Sequence, residues 1–181
     1  MYAVIEEMNM HKDSTTYTDE SGEAQDASEP EPAEQSITCT IDEGLEGIDA
    51  PWLLSHVQKA IECIGLRPCS IALRVVGDEE MTSLHKAHSS IDATTDVLTF
   101  DRGSSEDSIE ADIAICSDEA NRLATQRDHS LNEELLLYIV HGMLHCVGYD
   151  DHDEESHQKM HAEEDRILVA IGVGPVWSRT Q

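Results

Sequence analysis

Between Ser130 and Gly148 the chain runs LNEELLLYIVHGMLHCV, with Leu135, Leu136, Leu137, Ile139 and Val140 in near-continuous succession. Ser130, with Glu133 three residues later, forms a capping-box pattern, so the stretch reads as a helix that starts there and runs to about Val147. Its apolar side chains fall on almost every face. A helix of that kind is stable only when other elements surround it, which places it at the centre of the fold.

The remaining elements are shorter and must pack around it. "SITCTI" (36–41) alternates like a strand. Pro51 sits where a first helical turn tolerates it, and Trp52, Leu53, Val57, Ile61 and Ile64 continue that helix until Gly65. "CSIALRVV" (69–76) is a strand. Asp78 is placed to cap a short helix with Met81, Leu84 and Ala87. "DVLTF" (96–100) and "EADIAIC" (110–116) are two further strands around a polar loop, 101–108. Ser117 is placed to cap a helix from Asp118 to Arg127, and a last amphipathic helix runs from about Glu154 to Ile171, where Gly172 stops it. The order β-α-β-α-β-β-α-α-α predicts an α+β fold: a four-stranded mixed sheet packed with helices.

The 181 residues suit one such domain. Residues 1–35 carry ten acidic side chains against Lys12 alone, with "EPEPAE" at 29–34, and hold too little apolar surface to offset the entropy of ordering. They are expected as a disordered acidic tail, followed by a domain over 36–174 and a C-terminal tail over 175–181. The net charge of −27 implies a soluble, self-repelling chain and opposes binding to phosphate-rich partners, which needs Lys and Arg. The start lacks a secretory apolar region, and no run approaches the roughly 20 apolar residues of a membrane helix. The odd count of five cysteines, without a CxxC pair, fits reduced thiols in a cytoplasmic protein.

The central helix also carries the chemistry. His141 and His145 are four apart, hence on one face, with Cβ atoms roughly 5–6 Å apart. Two buried imidazoles without a partner are unfavourable. Gly148 allows a sharp turn that returns Asp151 or His152 toward them. Three protein ligands and one open position are the pattern of a catalytic zinc site, here expected to hold one Zn2+ ion, with nickel or iron as chemical alternatives. The spacing echoes the long zincin signature, but the position after the first His is Gly142, not the Glu that serves those peptidases as general base.

"HGMLHCVGYDD" resembles the HGxLHLxGYDH signature of the YbeY family. "TTDVLTF" (94–100), "ADIAICSDEANRLA" (111–124) and "MHAEEDRILVAIG" (160–172) are similar to other segments of that family in order and spacing, so the resemblance spans about 36–172. It implies a metal-dependent, single-strand-specific endoribonuclease, acting in rRNA maturation at the small-subunit 3′ end and in ribosome quality control in the cytoplasm. Its partners would be rRNA and the ribosomal small subunit. The metal ligands it implies are His141, His145 and the residue after "GYD". That slot holds Asp151, nine positions before Met160 as in the family pattern, with His152 as the alternative. Ser89 stands where the family carries an Arg near its PTDVLSF strand. Lys86 is the nearby candidate for phosphate contact, and Lys86, Arg102, Arg122 and Arg127 are candidates for a positive patch. Thr95 and Asp96 line the cleft only on the strength of the resemblance.

Several other groups carry blander readings. His157 and His161, four apart among Glu154, Glu155, Glu163 and Glu164, read as a solvated helix face. Cys146, about 100° around the helix from His145, reads as a packed thiol. Tyr149 reads as a structural anchor of the turn, and Asn121 and Arg122 as surface contacts. Besides the ribonuclease, the alternatives are a non-catalytic ribosome-assembly factor with a structural metal and another zinc-dependent hydrolase.

Overall fold

The computed structural model describes residues 3–6, 35–67 and 69–180. In chain order the elements are β1 (Ala3–Glu6), β2 (Gln35–Ile41), α1 (Ala50–Ile64), β3 (Cys69–Val76), α2 (Asp78–Ser89), β4 (Val97–Asp101), β5 (Ile109–Cys116), α3 (Ser117–Arg127), α4 (Leu131–Cys146), α5 (Glu154–Ala170) and a 3-10 turn, Ser178–Thr180. The sheet order is β1-β4-β5-β3-β2. β2, β3 and β5 are parallel, β4 runs against β5, and β1 is parallel to β4.

The expected α+β architecture with a four-stranded mixed sheet is therefore present as β4-β5-β3-β2. Ala3–Glu6 adds a fifth strand along β4, whose backbone groups would otherwise form an unpaired edge. This corrects the expectation of disorder for those four residues and for Gln35, which opens β2; residues 7–34 of the acidic tail lie outside the described residues.

Strand alternation divides the sheet into two faces. Ile71, Leu73 and Val75 of β3 and Ile109, Ala111, Ile113 and Ile115 of β5 join α4 and α1 in the main core. Val76, Leu98, Ala114 and Cys116 point the other way and pack with Met81 of α2. α4 lies on the first face against β4 and β5, with α1, α3 and α5 beside it. Leu135, Leu136, Ile139, Val140, Met143 and Leu144 are fully buried, as an all-round apolar helix requires.

One contact fixes how deeply α4 seats. A Cβ on Gly142 would stand 2.5 Å from Thr99 Oγ1 on β4 and 3.4 Å from Ile113 on β5. Only a glycine lets the two backbones approach this far. Gly142 faces the sheet, so the zincin base position is not merely empty of carboxylate here; it points into the core.

The capping box at Ser130 and Glu133 forms as expected. Two other caps do not. Gly77 is the N-cap of α2, and Asp78, the first residue of that helix, instead takes Arg122 at 2.8 and 2.9 Å. That bidentate guanidinium holds the Asp78 carboxyl down at about 2. α3 begins at Ser117 itself, without a side-chain cap. The segment expected as a C-terminal tail is fastened to α5: the N–H groups of Val176, Trp177 and Ser178 donate to the Asp165 carboxylate at 2.9–3.0 Å, and Val176 is fully buried. Among the described residues no helix is long and apolar enough to cross a membrane.

Candidate metal centre

α4 ends in a hydrogen-bonded glycine turn. Tyr149 N–H donates to Leu144 O and Gly148 N–H to His145 O, with Gly148 at φ +94°. This is the Schellman arrangement, which glycine adopts without the Cβ penalty of other residues. It has two consequences for the site. Tyr149 O is placed 3.1 Å from His145 Nδ1, and the chain doubles back so that Asp151 Oδ1 comes to 3.9 Å from His145 Nε2. Tyr149 thus supports the site through its backbone carbonyl, although the residue as a whole is exposed.

His141 is 1% exposed and sits one turn earlier on the same helix face. Its Nδ1 lies 2.6 Å from Oε1 of Glu164, a fully buried carboxylate on α5. The two Nε2 atoms of His141 and His145 are 2.9 Å apart. His141, His145 and Asp151 each offer a donor atom, all within 4.8 Å of one another.

The hydrogen-bond inventory of these rings is informative. A carbonyl only accepts, so His145 Nδ1 carries a proton. A carboxylate likewise accepts, so His141 Nδ1 carries one too. Burial lowers the pKa of both imidazoles, against the opposing pull of Glu164 on His141 and of Asp151 on His145. In the neutral rings, both Nε2 lone pairs then face each other at contact distance. Such an arrangement is repulsive until a cation lies between them. Two imidazoles with a carboxylate alongside suit a late first-row divalent ion, so the residues present fit the expected metal.

Of the two alternatives for the third ligand, Asp151 is the residue the turn brings to the imidazole pair, with its side chain 11% exposed. His152 is 79% exposed and its Nδ1 bonds Asp150 at 2.8 Å. Lys86 stands on α2, across the sheet from α4, with its ammonium 2.7 Å from Asp92. The other candidate cations are paired as well: Arg102 with Asp112, Arg122 with Asp78 and Glu119, and Arg127 with Glu134. All five cysteines are free thiols, and burial pushes Cys146 up to about 12, so it is a packed thiol as expected.

The sequence reading missed Glu164 and misplaced His161. His161 is 3% exposed; its Nδ1 lies 2.6 Å from Glu164 Oε2, and its ring stacks on Trp177. One buried carboxylate therefore receives an imidazole on each oxygen. The signal was present: Met160, His161, Glu164, Ile167 and Leu168 are the buried residues of α5, and their spacing is that of a single inward stripe.

The family model for Endoribonuclease YbeY matches residues 45–172. An Endoribonuclease YbeY of Heliobacterium modesticaldum is 32% identical over 149 residues, covering 72% of this chain and 90% of the relative. One from a Janthinobacterium species is 36% identical over 127 residues, covering 69% and 81%. A solution structure of a Thermotoga maritima protein, 24% identical, matches 74% of this chain and 90% of its own with a TM-score of 0.51, which supports the fold.

Proposed function

The chain belongs to the YbeY endoribonuclease family, and on that premise we propose that it is a metal-dependent, single-strand-specific endoribonuclease acting on rRNA. The proposed setting is small-subunit 3′-end maturation and ribosome quality control in the cytoplasm, with rRNA and the small subunit as partners. The observation that carries the metal dependence is the 2.9 Å approach of two imidazole nitrogens whose opposite nitrogens are both committed as donors.

His141, His145 and Asp151 are the proposed ligands, and zinc the proposed occupant. When bound, such an ion polarises a phosphoryl oxygen and lowers the pKa of water toward about 7. The chain's own residues supply the rest. Glu164 and Tyr149 O fix the two tautomers, so that both Nε2 atoms stay available. The Schellman turn holds Asp151 in reach. Gly142 faces the sheet and contributes no base, which argues against peptidase chemistry of the zincin kind. Lys86 is the proposed phosphate contact, and it must leave Asp92 to act as one.

The test is RNA cleavage and metal content measured on the same preparations of wild type and His145→Ala. The reading requires parallel loss of ion and cleavage. A His145→Ala protein that cleaves single-stranded RNA at the wild-type rate overturns it. The end groups of the product distinguish attack by water from attack by the 2′-hydroxyl.

The pairing of every candidate cation favours one second reading: a ribosome-assembly factor with a structural ion. It predicts that His145→Ala is less stable yet still supports rRNA processing in cells.

A further inference from the structure

α5 repeats the spacing that α4 uses. His157 and His161 are four apart, with Nε2 atoms 3.0 Å from each other and rings inclined at 82°. His161 is fixed on two sides: Nδ1 donates to Glu164 Oε2, and the ring lies face to face with Trp177, centroids 3.4 Å apart and planes within 6°. With Nδ1 committed, its Nε2 lone pair is aimed at His157, which is half-buried at the protein surface.

We propose that His157 and His161 hold a second divalent transition-metal ion, distinct from the one at His141 and His145. A pair of imidazoles selects zinc, nickel or copper over magnesium or calcium. A carboxylate behind a ligating imidazole fixes the ring and raises its basicity. Glu164 does this for both pairs, one oxygen each, so the two sites have a common anchor and no common ligand. The rings of His141 and His161 are 6.2 Å apart, which keeps the sites separate. Asp153, Glu154 and Glu155 at the start of α5 raise the local concentration of cations. Without an ion, His157 Nε2–H donates to His161 Nε2. Binding requires the other His157 tautomer: the proton moves from Nε2 to Nδ1 by exchange with water, with no net release, leaving a lone pair on each Nε2 for the ion. Two protein ligands, with water completing the shell, make this the weaker site.

The experiment is equilibrium dialysis of the full chain against zinc, from limiting to saturating concentration, with elemental analysis. Two equivalents are expected in wild type. His157→Ala loses the weaker one and keeps the tighter; His141→Ala loses the tighter and keeps the weaker. If His157→Ala does not give folded protein, His157→Gln, which preserves the helix and the side-chain bulk, carries the same reading. One equivalent at saturation in wild type that His157→Ala retains overturns the proposal. So does a second equivalent that survives the His157 change but is lost in Asp150→Asn with His152→Ala, since it then belongs to the exposed group around Asp150. A single equivalent that His157→Ala loses and His141→Ala keeps would count against the α4 site alone.

Discussion

His141 and Glu164 meet at 2.6 Å across 23 residues of chain, both withdrawn from water. Burial pushes Glu164 up from the ordinary carboxylate range, and the His141 contact opposes that rise. Glu164→Gln tests the arrangement. An amide has one acceptor oxygen for two imidazole donors, so one ring must abandon the tautomer that leaves Nε2 free. The expected result is about a 10- to 100-fold loss of metal affinity in competition with a chelator, with a stability loss of about 1–3 kcal/mol in urea. Undiminished affinity would show that the carboxylate does not set the tautomer.

Asp151 and His152 are adjacent in sequence but opposite in role. Asp151→Ala is expected to release most of the ion on gel filtration in chelator-treated buffer, whereas His152→Ala retains it. Asp151→His keeps three ligands and should keep the ion. The reverse ranking of the two alanine variants would assign the third position to His152.

Gly142→Ala places a methyl group 2.5 Å from Thr99 Oγ1. Overpacking of this kind is expected to cost about 1–3 kcal/mol, offset in part by the helix preference of alanine, about 1 kcal/mol. Thr99→Ala in the same protein removes the opposing atoms. Denaturation midpoints of the two single variants and the double variant should therefore be non-additive, with the second change restoring part of what the first lost.

Burial depresses the His161 pKa to about 4. The unfolded chain takes up its proton near about 6.5 and the folded chain only near the lower value. The neutral ring therefore contributes stability that is fully present above the unfolded pKa and is lost as pH falls through this window. The loss for metal-free protein is about 3 kcal/mol at most. His141 and His145 shift in the same direction and add to it. Stability measured from pH 7.5 down to 4.5 should fall in wild type and fall less steeply in His161→Phe.

Periodicity and caps made much of this molecule legible. The run of apolar residues in α4 placed that helix at the centre, and the i, i+4 spacing put His141 and His145 on one face. The family resemblance, through its register to Met160, favoured Asp151, and the turn at Gly148 brings that carboxylate to 3.9 Å from His145 Nε2. What stayed hidden depends on contacts between distant segments. Asp78 was read as a local cap, but Arg122, 44 residues on, offers its carboxylate a bidentate partner that no backbone N–H could match. His161 and Glu164 looked solvated because acidic neighbours surround them in sequence. Their inward position follows from the stripe with Ile167 and Leu168, and their pairing follows only when α5 lies against α4. Trp177 could not be placed by any local rule, since Asp165 draws its segment back across α5.

The indole of Trp177 lies flat on the His161 imidazole, with the Arg127 guanidinium 5.0 Å from its ring centre. Charge arriving on His161 acts directly on that π-system. Trp177 is consequently an intrinsic optical gauge of the α5 imidazoles, readable by emission without any label. The other tryptophan, Trp52, lies on α1 with the ring of His56 of the same helix 4.0 Å away.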